Sequence, residues 1–402
     1  MSELPSRIDN SAYVPAPVEL GHGPWWQSLP EDFYRRPDGF TVDGRTRHMV
    51  GSTALVDKGI RTGLAAMVAT ASVPGFLLPG RISGDLEDLD FYADFAERAS
   101  PHDFFREPVR VDEFREKPPE WFHFAPEDGE SSSITFRSPF EPVNPRQRER
   151  YLSHQRNQVA RAQYWRHNDG PRPTLIVVHG FVADPYWINT RFLALPWFYK
   201  QGYDVMLYTL PFHGRRADRS SLFSGQGFFS GGFGHINESF AQAIHDLRVF
   251  IRYLRQRGAS SIGVTGISLG GYTSALLSCV EDELSFVIPN VPVVSLFDLV
   301  MSWFPISLEL RGFMKVSGVS LTELRRATAV HSALTWESKV PRERRMIIGG
   351  AGDRFVPPRQ VWLLQQHWQQ CRLHWFPGNH LLHLDQGRYL REMRSFMEEV
   401  GC

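Results

Sequence analysis

The chain has 402 residues, and its 44 Lys+Arg are matched by 44 Asp+Glu, so the formal net charge is zero. That balance excludes a broad electrostatic grip on nucleic acid or anionic lipid, which needs clustered excess Lys and Arg. Apolar residues make up 42% and charged residues 22%, enough to bury a large core and too apolar for a dominantly disordered chain.

Length alone suggests two or three domains, or one large α/β domain with insertions. Cys279, Cys371 and Cys402 are too few and too scattered for a disulfide framework, and no C-x-x-C spacing marks zinc. They point to a reducing, cytoplasmic setting. The start carries Glu3, Arg7 and Asp9 among Pro5, Pro15 and Pro17 without an apolar run, so no secretory signal is expected.

Residues 1–132 read as an aromatic, Pro-rich N-terminal extension, helical and irregular, with Trp25-Trp26, Phe33-Tyr34 and Trp121-Phe122 and no chemical motif. Residues 63–80 hold no charge and approach the length of a membrane span. Pro74-Gly75 and Pro79-Gly80 interrupt them, leaving an apolar helix over residues 57–72 that is expected to be buried. Membrane contact stays open, but nothing indicates it. Residues 85–98 read as a short acidic helix with Leu86, Leu89, Phe91 and Phe95 towards one side.

The pattern changes near residue 133. Residues 134–137 and 158–165 suit strands, and Asn168-Asp169-Gly170-Pro171 supplies a turn. Residues 174–178 form a continuous, mostly β-branched run, as in a strand buried on both faces of a parallel sheet. Further strands are expected over residues 203–210, 261–265, 285–289, 345–350 and 373–376. Helices are expected over residues 187–201, 271–280 and the closing stretch with Leu390, Met393, Phe396, Met397 and Val400. Another is marked by Ile236, Phe240, Ile244, Leu247 and Leu254 at helical spacing. Repeated β-α units imply an α/β fold with a mostly parallel sheet flanked by helices.

Gly266-Ile267-Ser268-Leu269-Gly270 fits G-x-S-x-G and sits between the strand at 262–265 and the helix opened by Gly271-Tyr272-Thr273. A strand–turn–helix this sharp strains the serine backbone and lifts its Oγ above the sheet. With Val177-Val178-His179-Gly180-Phe181, Gly349-Gly350-Ala351-Gly352-Asp353 and Gly378-Asn379-His380, in this order, residues 133–402 resemble the α/β-hydrolase superfamily. Thr265 to Gly271 and the Pro211/Gly214/Arg216 pattern more weakly resemble a little-characterised α/β-hydrolase domain-containing branch, from which this chain departs at His179-Gly180.

The resemblance implies an α/β-hydrolase core at residues 133–402 with a cap inserted at about residues 294–339. A serine hydroxyl needs a base, and the base needs an acid partner. Both candidates follow Ser268 in the order Ser…Asp…His. Asp353 lies after an apolar strand, and His380 lies on the last loop, with His383 as rival base. The oxyanion donors are expected to be the backbone N–H groups of Leu269 and of Phe181, with Val182 as neighbour. His179 and His213 read as structural.

Two segments could wall a pocket. Residues 211–234 are rich in Gly and Phe and would form a lid or pack on the sheet edge, with Phe228 and Phe229 as pocket candidates. The cap segment offers Trp303 and Phe304. Arg215-Arg216 with Arg219 would receive an anion or simply be solvated. The expected activity is that of a serine hydrolase cleaving a carboxylic ester, or a thioester or amide, through an acyl-enzyme on Ser268. Its substrate would be small or lipid-like and moderately apolar, with no cofactor, no metal and no nucleic-acid partner. Acyl transfer or peptide cleavage by the same residues, and a non-catalytic binding module, are the alternatives.

Overall fold

The computed structural model describes residues 23–36, 79–119, 124–182, 192–381 and 385–402, together with residues 57, 59, 61–63, 65–66, 189–190 and 383. A nine-stranded sheet runs β1 (Arg115–Lys117), β2 (Gly129–Arg137), β3 (Val159–His167), β4 (Thr174–Val178), β5 (Asp204–Thr209), β6 (Ile262–Ile267), β7 (Phe286–Asn290), β8 (Met346–Gly350) and β9 (Arg372–Phe376) along the chain. In space the order is β1-β2-β3-β5-β4-β6-β7-β8-β9. The β1/β2, β2/β3 and β3/β5 pairs are antiparallel, and the sheet is parallel from β5 onward. Strands β4 to β8 are buried at every position, which explains their continuous apolar sequence.

The helices that cover the sheet and the site are α1 (Pro79–Ala96), α2 (Leu195–Lys200), α3 (Phe233–Gln256), α4 (Leu269–Val280), α5 (Leu296–Met301), α6 (Ile306–Ser317), α7 (Leu321–Ala329), α8 (Pro358–His367) and α9 (Gln386–Glu399). Pro79, expected to break a helix, instead opens α1, where a missing N–H costs nothing. Of the expected helix at 187–201, the described residues 189, 190 and 192 are helical, and after a turn with a left-handed Ala194 the chain continues as α2. The uncharged run at 63–80 and Trp121-Phe122 lie largely outside the described residues. In the expected helix over residues 57–72, the described residues 57, 59, 61–63 and 65–66 are helical, and Asp57 and Ala65 are buried. No helix among the described residues is long and apolar enough to cross a membrane.

The segment before β2 joins the same body. β1 extends the sheet edge, and α1 lies on α3, where the buried Glu238 carboxylate accepts Tyr92 Oη (2.7 Å) and the backbone N–H groups of Val143 and Asn144 (both 2.9 Å). Trp25 Nε1 donates to Thr335 Oγ1 (2.9 Å). Arg325 on α7, fully buried, grips Asp298 of α5 with Nε and Nη2 at 2.8 and 2.6 Å and also donates to the carbonyls of Leu29 and Pro30. Helices α5 and α7 and the segment at residues 23–36 are thus fastened at one guanidinium.

Arg216 behaves in the same way and is no surface anion receptor. It is fully buried, pairs with Asp246 at 2.8 Å, and donates to Tyr208 Oη, Thr209 O and Asn157 O. Only its neighbours Arg215 and Arg219 face solvent. Removing one partner of a buried, hydrogen-bonded pair strands the other charge, so Asp246→Ala should cost about 3–5 kcal/mol in urea unfolding. Arg215→Ala, at an exposed position, should change stability by less than about 0.5 kcal/mol.

Candidate active site

The C-terminal ends of the parallel strands converge, as ligand sites do in open α/β sheets. β6 ends at Ser268, whose φ of 58° and ψ of −114° are unfavourable for a residue with a Cβ. Tight packing imposes this turn. A Cβ on Gly270 would lie 2.1 Å from Val178 O, and one on Gly266 would lie 2.4 Å from Gly270 O. The serine's own N–H donates to Asn290 O at 3.0 Å, and its carbonyl accepts from Tyr272 at 2.9 Å, which starts α4 directly behind it. The free N–H groups of that first helical turn, Leu269 among them, give this end of α4 its positive pole.

β8 ends in a turn that buries Asp353, and β9 ends in the turn that carries His380. His380 Nδ1–H donates to Asp353 Oδ2 at 2.7 Å, while Asp353 Oδ1 accepts the Val356 N–H at 2.7 Å. Burial pulls the His380 pKa down, but the Asp353 carboxylate and its hydrogen bond outweigh that and leave it raised above the ordinary imidazole value. Phe355 stacks on the ring, centroids 5.1 Å apart and planes 18° from parallel. An imidazole held through Nδ1 in this way presents Nε2 as a base.

The rival, His383, has both nitrogens engaged. Nε2 donates to His380 O (3.1 Å), Nδ1 accepts from Tyr389 Oη (2.8 Å), and burial pushes its pKa down to about 3. His179 is likewise tied, to Gly180 O through Nδ1 and to the Leu210 N–H through Nε2. His213 donates from Nδ1 to Pro211 O, and burial depresses the pKa of both.

In front of Ser268 opens a cavity of about 140 Å³. Its lining includes Ser268, Leu269, Phe181 and Tyr272 together with Leu299 of α5, Phe313 of α6 and Trp303 from the turn between those helices. Of the sequence candidates, Phe229 and Trp303 line this space and Phe228 and Phe304 do not. Phe228 is fully buried against Phe240 and His213, because the one-turn helix Gln226–Phe229 turns only one of its paired rings outward. Phe304 points away from the cavity and is 59% exposed. Trp303 ties the turn between α5 and α6 to Phe355, donating from Nε1 to Phe355 O at 2.9 Å and meeting the Phe355 ring edge-on at 5.7 Å. Phe181 follows Gly180 off β4 with its ring 5.2 Å from Phe229, and Val182 beyond it is left-handed at φ 63°. Glu309 is the charged member of the lining, and burial raises its pKa.

Asp57 has no counterpart in the motifs. Its buried carboxylate reaches beneath the Asp353 and His380 turns from a segment that reads only as apolar helix. Among the described residues no group of three or more His, Cys, Asp or Glu could hold a metal ion.

Strand order, strained serine turn and the loops at the ends of β8 and β9 define an α/β-hydrolase fold. No protein-family model matches the chain. The uncharacterized protein Rv2627c of Mycobacterium tuberculosis is 28% identical over 338 residues, 78% of this chain and 74% of that protein. Among solved structures, acetyl xylan esterase 1 from Thermoanaerobacterium sp. JW/SL YS485 superposes with a TM-score of 0.53 at 17% identity, over 79% of this chain and 94% of its own. An acetyl xylan esterase from Paenibacillus sp. R4 gives 0.53 at 13% identity, over 78% and 94%. At these identities the likeness is one of fold.

Gly270→Ala tests the turn. Because the clashing atom is backbone, the variant should lose at least about 3 kcal/mol in urea unfolding. Gly312→Ala on α6, with open space around the added methyl, should be neutral or slightly stabilising.

Proposed function

We propose that the protein is a serine hydrolase that cleaves a carboxylic ester with a moderately apolar acyl part, without a cofactor. The observation that supports this reading is the buried Asp353–His380 pair after β8 and β9, in the same sheet whose β6 leads into a strained Ser268 lining an apolar cavity. In this reading His380 takes the Ser268 proton as the hydroxyl oxygen attacks the ester carbonyl. Asp353 holds the imidazole tautomer and stabilises its cation. The N–H groups of Leu269 and Phe181 receive the developing oxyanion. His380 then gives its proton to the leaving alcohol, and water repeats the sequence on the acyl-enzyme. The cavity's size suits a short or medium acyl group.

A fluorophosphonate probe should label the wild type and leave Ser268→Ala unlabelled; equal labelling of both would overturn the reading. On p-nitrophenyl esters of increasing length, activity should peak at short to medium chains, and Phe229→Ala or Phe313→Ala should move the peak to longer ones. In Asp353→Asn burial of His380 is no longer offset, so the imidazole stays neutral to lower pH. The acid limb of kcat/KM should therefore move down in pH while kcat falls by about 10²–10⁴-fold.

A further inference from the structure

One acidic group at the site has no part in that scheme. Asp57 is fully buried, and its Oδ2 accepts two backbone N–H groups, from Arg354 and from His380, each at 3.0 Å. The first belongs to the residue after Asp353, the second to the base itself. One helical turn further on, Arg61 Nη1 donates to Arg354 O at 2.7 Å, so the Arg354 peptide is held on both sides by the same segment. The chain separation is large, 297 residues to Arg354 and 323 to His380.

A neutral side chain would accept these two N–H groups without penalty. A carboxylate here is costly: burial and the nearby Asp353 charge raise the Asp57 pKa to about 6. What the charge adds is a second negative group beside the imidazole, useful only when His380 becomes a cation.

We propose that Asp57 is a positioning residue of the hydrolytic site: it sets the Asp353 and His380 turns at a fixed separation, and its charge supports the imidazolium formed when Ser268 gives up its proton. This rests on the serine-hydrolase reading above. Asp57 takes no proton in the cycle; the serine proton passes to His380 and on to the leaving alcohol. The charged and titratable groups facing Asp57 are Asp353 and Arg354 after β8, His380 after β9 and Arg61 on its own segment, with Arg359 of α8 acting on Arg61.

The test titrates His380 in the full-length protein by NMR with isotope-labelled histidine, its signal assigned by its loss in His380→Gln. Asp57→Asn keeps an acceptor for both N–H groups and removes the charge. Its His380 midpoint should fall by about one pH unit. The acid limb of fluorophosphonate labelling at Ser268 should move the same way, with kcat reduced and KM unchanged. Asp57→Ala, which also loses the acceptor, should slow labelling at least about tenfold at every pH. Asp57→Ser supplies a second neutral acceptor if Asn distorts the turn. An unchanged His380 midpoint in both neutral-acceptor variants would overturn the proposal. A shifted midpoint in a protein whose Ser268 reacts with no probe would keep the coupling of Asp57 to His380 and remove the hydrolase reading instead.

Discussion

The close approach of β4, β6 and α4 is the constraint on which the rest of the structure depends. Gly266 and Gly270 let the helix start almost in contact with the Val178 and His179 carbonyls, and no side chain fits between them. The cost is a strained residue at Ser268, which the surrounding buried strands hold in place. That strain gives the serine its exposure to the cavity. It also sets where every other strand end must lie, since β7 and β8 pack on from β6 and carry Asn290 and the Asp353 turn with them.

A second organising principle is the use of buried guanidinium and carboxylate groups as fasteners. Arg216 with Asp246 locks the loop after β5 to α3, and Arg325 joins Asp298 of α5 to the Leu29 and Pro30 carbonyls. Glu238 and Asp57 each collect backbone N–H groups from distant parts of the chain. These few buried charged groups join segments, while the cavity is lined by apolar side chains apart from Glu309. Such pairs contribute little net stability over an apolar core but penalise any rearrangement that separates them.

Much of this was legible from the sequence because it is written in local pattern. The unbroken apolar runs of β4 and β8 announce strands buried on both faces, and G-x-S-x-G between a strand and a helix announces the turn at Ser268. Asp353 and His380 stand out as the polar residues at the ends of such strands. Pocket lining is harder, since Phe228 and Phe229 are adjacent and indistinguishable in composition, and only the one-turn helix decides which ring faces the cavity. Arg216 looks solvated because its partners, Asp246 and Tyr208, are elsewhere in the chain. Asp57 is harder still: its whole significance lies in two N–H groups about three hundred residues away, beyond any periodicity.

That distance orders events in time. Asp57 leaves the ribosome early, and His380 emerges 323 residues later, roughly 15–65 s at ordinary synthesis rates. Until residue 354 emerges the carboxylate has neither of its two amides to hold. The turn bearing the imidazole is therefore fastened only after the 323 residues that separate it from Asp57 have been made. A chain stopped between residues 270 and 353 would carry the complete serine turn but neither Asp353 nor His380.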